Sequence, residues 1–511
     1  MDAFAATLTL TCMTSTRPTR RSAGLASLLA LLVLAPCAAA LAPAAQAAGP
    51  AGPSVVVRFK HGTSAADAHA ALRVAGVEGT SQGPGGAVVA RLGAGQDAVQ
   101  AARTLSSRHP VAWASPTYRA RIAAFTPNDT GQTVSTAAAG GWTKQQWDLT
   151  GPYGIRAPEA WDLAKLKGDA GGKGVTVAVL DTGVAYTDRG PYKRSPDLPA
   201  GRIVRGYDFV GADRYPSDAN GHGTFVAGTI AAAANNGYGM VGVAYKASIM
   251  PVRVLDQYGE GSSYRVAEGI RYAAKRGADV INVSIELADD RGPISLTAAP
   301  DIRSALRYAR DRGSIVVAAA GNSAISTVPA RKNSSLVIQV GGSTEHGCVA
   351  DYSNYGPGLD LVAPGGGADA PISEDPDCKP DDASGRNIFQ VTFRKRDPRR
   401  FLVPDDYEGT SMAAPHVTGA IALMLGARTI GAHPTLAEVK RQLRKTSRAL
   451  GTGTAAGYYG AGLLDVDQLL GGPPPAPATV PPASPPAPAT TTPNPAPTPT
   501  VTVAATPPPA P

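Results

Sequence analysis

Apolar runs and helical stretches alternate along the middle of the chain. Continuous apolar runs at 175–180, 248–254, 278–285, 314–320 and 336–341 predict strands, since a strand covered on both faces needs no polar alternation. Residues recurring at three and four positions predict helices near 263–276, 301–312, 412–426 and 435–447. The small-residue stretch 225–234 reads as a further helix. This order predicts an α/β fold: a mostly parallel sheet sandwiched by helices, with ligands binding beyond the carboxyl ends of the strands.

Two flanking regions have different patterns. Residues 54–59 alternate like a strand, 65–77 like a helix and 87–92 like a strand; 96–108 is helical again and 111–122 extended. That β-α-β-α-β order predicts a small α+β unit of the split βαβ kind. From 472 to 511 the chain carries 17 Pro and no charged residue. Such a stretch buries too little apolar surface to offset its ordering entropy, so a disordered, polyproline-rich tail is expected, a spacer rather than a fold.

Composition narrows the class. A chain of 511 residues has room for one large core and appendages, and 58 Gly with 45 Pro indicate many turns. The net charge of +8 is spread out, with no basic stripe interleaved with aromatics, so nucleic acid is not an expected partner. At the start, Arg17, Arg20 and Arg21 precede an apolar stretch at 25–34, and Ala45-Gln46-Ala47 has the small-residue form of a cleavage site. Residues 1–47 are therefore expected to be a signal peptide, too short in its apolar part for a stable membrane span.

Three short Gly-rich segments carry the candidate chemistry: Val-Ala-Val-Leu-Asp181-Thr-Gly, Asn-Gly-His222-Gly-Thr and Gly-Thr-Ser411-Met-Ala-Ala-Pro-His. A Ser hydroxyl is a poor nucleophile unless an imidazole takes its proton, and the imidazole needs a carboxylate to fix its tautomer. Taken singly, each of these residues is more often a cap, a turn or a satisfied polar group. Asp181 ends a predicted strand, His222 opens a predicted helix, and Ser411 stands at a helix start with free backbone N–H groups and a favourable dipole. A fourth segment, Gly321-Asn322-Ser323, follows another strand and could donate a side-chain amide to an oxyanion, although Gly-Asn is also an ordinary turn.

Together the four segments resemble the subtilases, the subtilisin-type serine peptidases, over roughly residues 125–470. The resemblance implies Asp181 as orienting carboxylate, His222 as general base and acid, Ser411 as nucleophile and Asn322 as oxyanion donor. Phe225 stands where the family usually has a second, non-catalytic His. The domains expected are a propeptide at 48–122, acting as inhibitor and folding aid, a catalytic domain at 123–471 and the tail at 472–511. The propeptide's end, Tyr118 to Phe125, would lie in the active-site cleft like a product.

The resemblance also assigns substrate-pairing segments: Gly259, Glu260 and Gly261 on one side, Ser284, Ile285 and Glu286 on the other, with Ala320 and Gly321 near Asn322. Where the family has Gly, this chain has Glu286, which would reshape the pocket, favour a basic side chain or face solvent. No cofactor is required for the chemistry. A structural Ca²⁺ is implied by Asp197 and by Asn236 in the loop 235–240, a stretch that reads otherwise as a Gly/Asn turn. Cys12 and Cys37 fall in the signal region, leaving Cys348 and Cys378 for one disulfide or for two buried thiols. The expected function is a secreted, autoprocessed serine endopeptidase, a monomer acting on proteins or peptides. The competing readings are an inactive binding scaffold and a serine esterase; no Gly-x-Ser-x-Gly elbow surrounds Ser411.

Overall fold

The computed structural model describes residues 54–93, 95–117, 125–133, 141–169, 171–326, 334–372, 374–381, 385–394, 397–451 and 453–475. The signal segment, Cys12, Cys37 and the tail from 476 lie outside these residues, as do 118–124. The chain divides into two units, Met1–Ala120 and Arg121–Pro511.

In the first unit the order is β1 (Ser54–Phe59), α1 (Ala65–Val74), β2 (Val77–Gln82), β3 (Val88–Leu92), α2 (Ala98–Ser106) and β4 (Val111–Pro116). The four strands pair antiparallel in the order β2-β3-β1-β4. Val55, Val57, Leu72, Ala90, Leu92 and Leu105 form its core. The helix expected through residue 77 stops at Val74, because Gly76 turns the chain at φ 68°. The edge strand β2 was not expected. Its residues are mostly exposed, so backbone pairing with β3 defines it rather than any apolar pattern.

The second unit contains α3 (Ala157–Leu166), β5 (Thr176–Asp181), β6 (Tyr207–Asp208), α4 (His222–Ala231), β7 (Ser248–Arg253), α5 (Ser263–Lys275), β8 (Val280–Val283), α6 (Pro300–Asp311), β9 (Ile315–Ala319), β10 (Ile338–Ser343), β11 (Leu361–Pro364), the short pair β12 (Thr392–Phe393) and β13 (Phe401–Leu402), α7 (Thr410–Gly426) and α8 (Leu436–Thr446). Seven strands make one sheet, ordered β11-β10-β9-β8-β5-β7-β6, with every pairing parallel. Successive side chains of a strand face opposite ways. Val177 and Val179 of β5 therefore pack with α4 and α7, while Ala178 and Leu180 pack with α5 and α6. Both faces of β5 are dry, which is why its sequence carries no polar alternation.

Phe125 corrects one expectation. It does not lie in the cleft but packs on Trp161 and Tyr245, with the Lys165 ammonium 3.4 Å above its ring and its N–H on Asp162. An aromatic ring with so many apolar neighbours gains more from this seat than from an open groove.

Candidate active site

Asp181 ends β5 and is fully buried. Its Oδ1 and Oδ2 lie 2.8 and 2.9 Å from His222 Nδ1, and the Thr182 N–H donates to Oδ1. With Nδ1 committed to the carboxylate, Nε2 is the second ring nitrogen, on the side away from Asp181. Gly223 makes this approach attainable. A Cβ there would stand 2.1 Å from the Gly183 carbonyl oxygen and 3.0 Å from Asp181 Cβ, so any larger residue would drive His222 and Asp181 apart.

A second carboxylate shapes the His222 turn. Asp218 is buried and accepts from the N–H groups of Asn220, Gly221 and Thr224 and from the hydroxyls of Thr182 and Thr224. It thereby satisfies the Thr224 N–H in the first turn of α4, while the Gly223 N–H goes to Thr182 Oγ1. Burial pushes its carboxyl up and the charge of Asp181 adds to that, while the hydrogen bonds oppose both. Asn220 completes the turn by accepting the His222 N–H and donating to the Gln257 carbonyl. The sequence signal was an Asp four positions before the His, which is uninformative until the turn is built.

Ser411 is the second residue of α7. Its Oγ is 3.3 Å from the Ser284 carbonyl, and the Ser284 hydroxyl in turn donates to the Ser411 carbonyl at 2.9 Å. Behind them, Asn282 donates to Ser284 Oγ and accepts from Thr418, a buried polar chain that ties α7 to the end of β8. Asn322 accepts through Oδ1 from both the Thr410 N–H and its hydroxyl, each at 2.8 Å. With Oδ1 occupied twice, the NH₂ half of that amide is the part offered to the cleft.

His222, Ser411, Asn322, Ser284, Ile285, Glu286 and Gly259 all line one cleft of about 800 Å³. Glu260, Gly261, Ala320 and Gly321 are not part of its wall. Glu260 gives its N–H to the Asp256 carboxylate and its carbonyl to the Asp256 N–H. Ala320 and Gly321 are likewise engaged by protein groups: their carbonyls accept from Asn354 and their N–H groups donate to the Val340 carbonyl and Thr410 Oγ1. Glu286 is neither idle nor turned to bulk solvent alone, since its Oε1 accepts from Asn322, Ser323 and Asn354.

The stretch 397–408, with Phe393 and Arg394 ahead of it, adds Pro404, Asp406, Tyr407 and Glu408 to the cleft wall. It also explains Phe225. That ring is fully buried and lies parallel to Tyr407, with centroids 4.3 Å apart, while the Thr392 hydroxyl donates to the Gly221 carbonyl. Burial holds the Tyr407 phenol up, keeping it un-ionised. An imidazole at 225 would place a second polar ring in this apolar stack. The sequence alone gave no sign of this partnership.

Away from the cleft, Cys348 and Cys378 are bonded, with Cα atoms 4.8 Å apart. Asp197 is buried and pushed up to about 7, first by burial and further by the charge of Asp129, against hydrogen bonds from Asn236 Nδ2 and the Met240 N–H. Asn236 turns its amide nitrogen to Asp197 and its oxygen to the Tyr238 N–H, because a carboxylate needs a donor. Asp129, not anticipated from sequence, accepts from the Asn235 and Asn236 N–H groups and is also raised by burial. Two buried carboxylates converging on one loop fit a hard cation with oxygen ligands. Among the described residues no cluster of three or more His, Cys, Asp or Glu side chains has metal-binding geometry. No helix among them is long and apolar enough to cross a membrane.

A doubly covered parallel sheet whose functional side chains gather at its carboxyl edge is the architecture of an α/β enzyme. Residues 172–462 match the family model described as the subtilase family. The chain is 34% identical over 372 residues to "Thermophilic serine proteinase" of Bacillus sp. (strain AK1), covering 70% of this chain and 72% of that protein. It is 35% identical over 320 residues to "Subtilisin DY" of Bacillus licheniformis, covering 62% of this chain and 98% of that protein. Among solved structures it is similar to a protease from Pseudoalteromonas arctica, with 30% identity, a TM-score of 0.52, and coverage of 68% of this chain and 99% of that one. The chain belongs to the subtilase family. It is a serine endopeptidase.

Proposed function

We propose that the chain hydrolyses peptide bonds through an acyl-enzyme formed on Ser411. The observation that carries this is the fully buried Asp181 holding His222 Nδ1 with both oxygens, beside a cleft that Ser411 and Asn322 share. Ser411 Oγ adds to the scissile carbonyl carbon while His222 Nε2 takes its proton. The oxyanion that forms meets the Ser411 N–H and the Asn322 amide. His222 then protonates the departing amine, the C–N bond breaks, and the acyl group stays on Ser411. A water, deprotonated by the same imidazole, releases the carboxylic acid and restores the hydroxyl.

The wider reading is a secreted zymogen that is monomeric when mature: a signal peptide at 1–47, a propeptide at 48–122 removed by the enzyme itself, the catalytic domain at 123–471 and a Pro-rich spacer at 472–511 that could tie it to the cell envelope. Protein or peptide substrates and its own propeptide are the partners. A structural Ca²⁺ held by Asp197 and Asp129 with oxygens of the 235–240 loop would neutralise those carboxylates and take no part in the chemistry. Expressing wild type beside Ser411→Ala tests the core of this reading. Wild type should bind a fluorophosphonate label, degrade casein and release its N-terminal unit, and Ser411→Ala should do none of these. Equal processing of the two purified proteins would refute self-cleavage, and label binding to Ser411→Ala would refute the nucleophile.

A further inference from the structure

We propose that Glu286 is a positioning residue for the oxyanion segment, fixing the Asn322 backbone from the end of the neighbouring strand. The proposal rests on the reading of Asn322 as an oxyanion donor. An exposed carboxylate ordinarily keeps its oxygens in water, where an isolated surface interaction gains little. Glu286 instead gathers three donors on one oxygen: the Asn322 N–H at 3.2 Å, Ser323 Oγ at 3.1 Å and Asn354 Nδ2 at 3.1 Å.

The place where these bonds fall is what gives them consequence. The segment 321–325 runs on past the end of β9, so no sheet ladder holds it there. Backbone bonds to 352–355 hold Gly321, Ala324 and Ile325, none of them on Asn322, and three side chains add to these. Thr410 fixes the Asn322 amide, and Asn354 takes the Ser323 and Ile325 N–H groups on its Oδ1. Glu286, reaching over from the segment that follows β8, takes the backbone N–H of Asn322 itself and orients Asn354 as well. The side chain passes so close under the chain that a Cβ on Gly321 would stand 2.4 Å from Glu286 Oε1. Thr410 sets the rotation of the amide, whereas Glu286 sets the position of the backbone that bears it. An oxyanion donor works only when fixed in advance at the place where charge develops. Backbone freedom at Asn322 would therefore weaken transition-state binding and leave ground-state binding largely intact.

The test uses the full-length chain, activated as wild type is, in Glu286→Ala, Glu286→Gln, Glu286→Asp, Asn322→Ala and Glu286→Ala/Asn322→Ala forms. Melting temperature and fluorophosphonate labelling report whether each variant is folded. Gln keeps an accepting oxygen at the same reach, and Asp keeps the charge but falls short by one methylene. Glu286→Ala and Glu286→Asp should lower kcat by at least about tenfold with KM little changed, within the ~10²-fold that a 1 Å misplacement can cost. Glu286→Gln should retain most of the wild-type kcat, and the double variant should be no slower than Asn322→Ala alone. Three results would overturn the proposal: an unchanged kcat in Glu286→Ala, the same fold-loss with and without Asn322, or full turnover on small residues with a gain on bulky ones. That last result would make Glu286 only a gate. An unchanged kcat in Asn322→Ala would instead bring down the oxyanion reading itself, a distinct outcome.

Discussion

Asn322 offers a way to separate catalysis from stability, because the two halves of its amide do different work. Oδ1 holds the Thr410 N–H and hydroxyl at 2.8 Å each, which leaves the NH₂ as the donor half of a residue that lines the cleft. Asn322→Ala removes both halves. Thr410 is fully buried, so stripping its acceptor should cost about 1–3 kcal/mol of stability. Losing the donor should lower kcat by about 10²–10³, or about 2.7–4 kcal/mol, the magnitude known for the equivalent donor in subtilisin. Asn322→Asp keeps an acceptor for both Thr410 donors but puts a charged oxygen where the NH₂ was. It should therefore melt close to wild type while turning over no faster than Asn322→Ala. The assay is kcat and KM on a chromogenic peptide, read beside thermal unfolding of the same preparations. Each kcal/mol moves the melting temperature by about 2–4 °C at 150–250 residues, and by less in a unit this large. Full turnover in Asn322→Asp, or a raised KM at unchanged kcat, would refute the division of roles. Equal melting losses in both variants would refute the Thr410 anchor.

Tyr407→Ala should destabilise by roughly 3 kcal/mol and slow turnover, because it removes the ring stacked on Phe225 one turn from His222; Tyr407→Phe, which keeps the ring, should do neither to a comparable degree, as unfolding and kcat would show. Replacing Cys348 and Cys378 with Ser should cost roughly 3–4 kcal/mol of unfolding free energy by the loop-entropy model and leave kcat near wild type, since neither lines the cleft; thiol titration and denaturant melts check both. A chelator should lower the melting temperature of the mature protein and added Ca²⁺ restore it, and Asp197→Asn should abolish that response; an unchanged melt would exclude the site. Asp467 is raised from the ordinary 3.8 to about 6, chiefly by burial, with Arg156 opposing and Asp465 adding. The folded state thus holds this proton more tightly than the unfolded one. Its contribution is full below about pH 4 and lost as pH rises through about 6, so Asp467→Asn should flatten that part of the stability profile.

The sequence by itself determined the strands and helices that carry the site, because their patterns are dictated by local burial. Residues 176–181 have no polar alternation since both faces are covered, and α7 is apolar all round since it runs through the middle of the unit. Asp181, His222, Asn322 and Ser411 were legible because each sits in a Gly-rich junction whose composition already restricts the backbone. Tertiary structure decided what those residues touch. Asp218 gains its role only when the turn folds its donors around it, and Phe225 has a partner only because residue 407, far along the chain, is brought back over α4. Glu286 reads as a charged residue in a loop until the end of β9 arrives beside it. Asp129 meets Asp197 only through the 235–240 loop. Periodicity reports which way a side chain faces; long-range hydrogen bonds and ring stacking depend on which segments the fold brings together, and no local pattern encodes that.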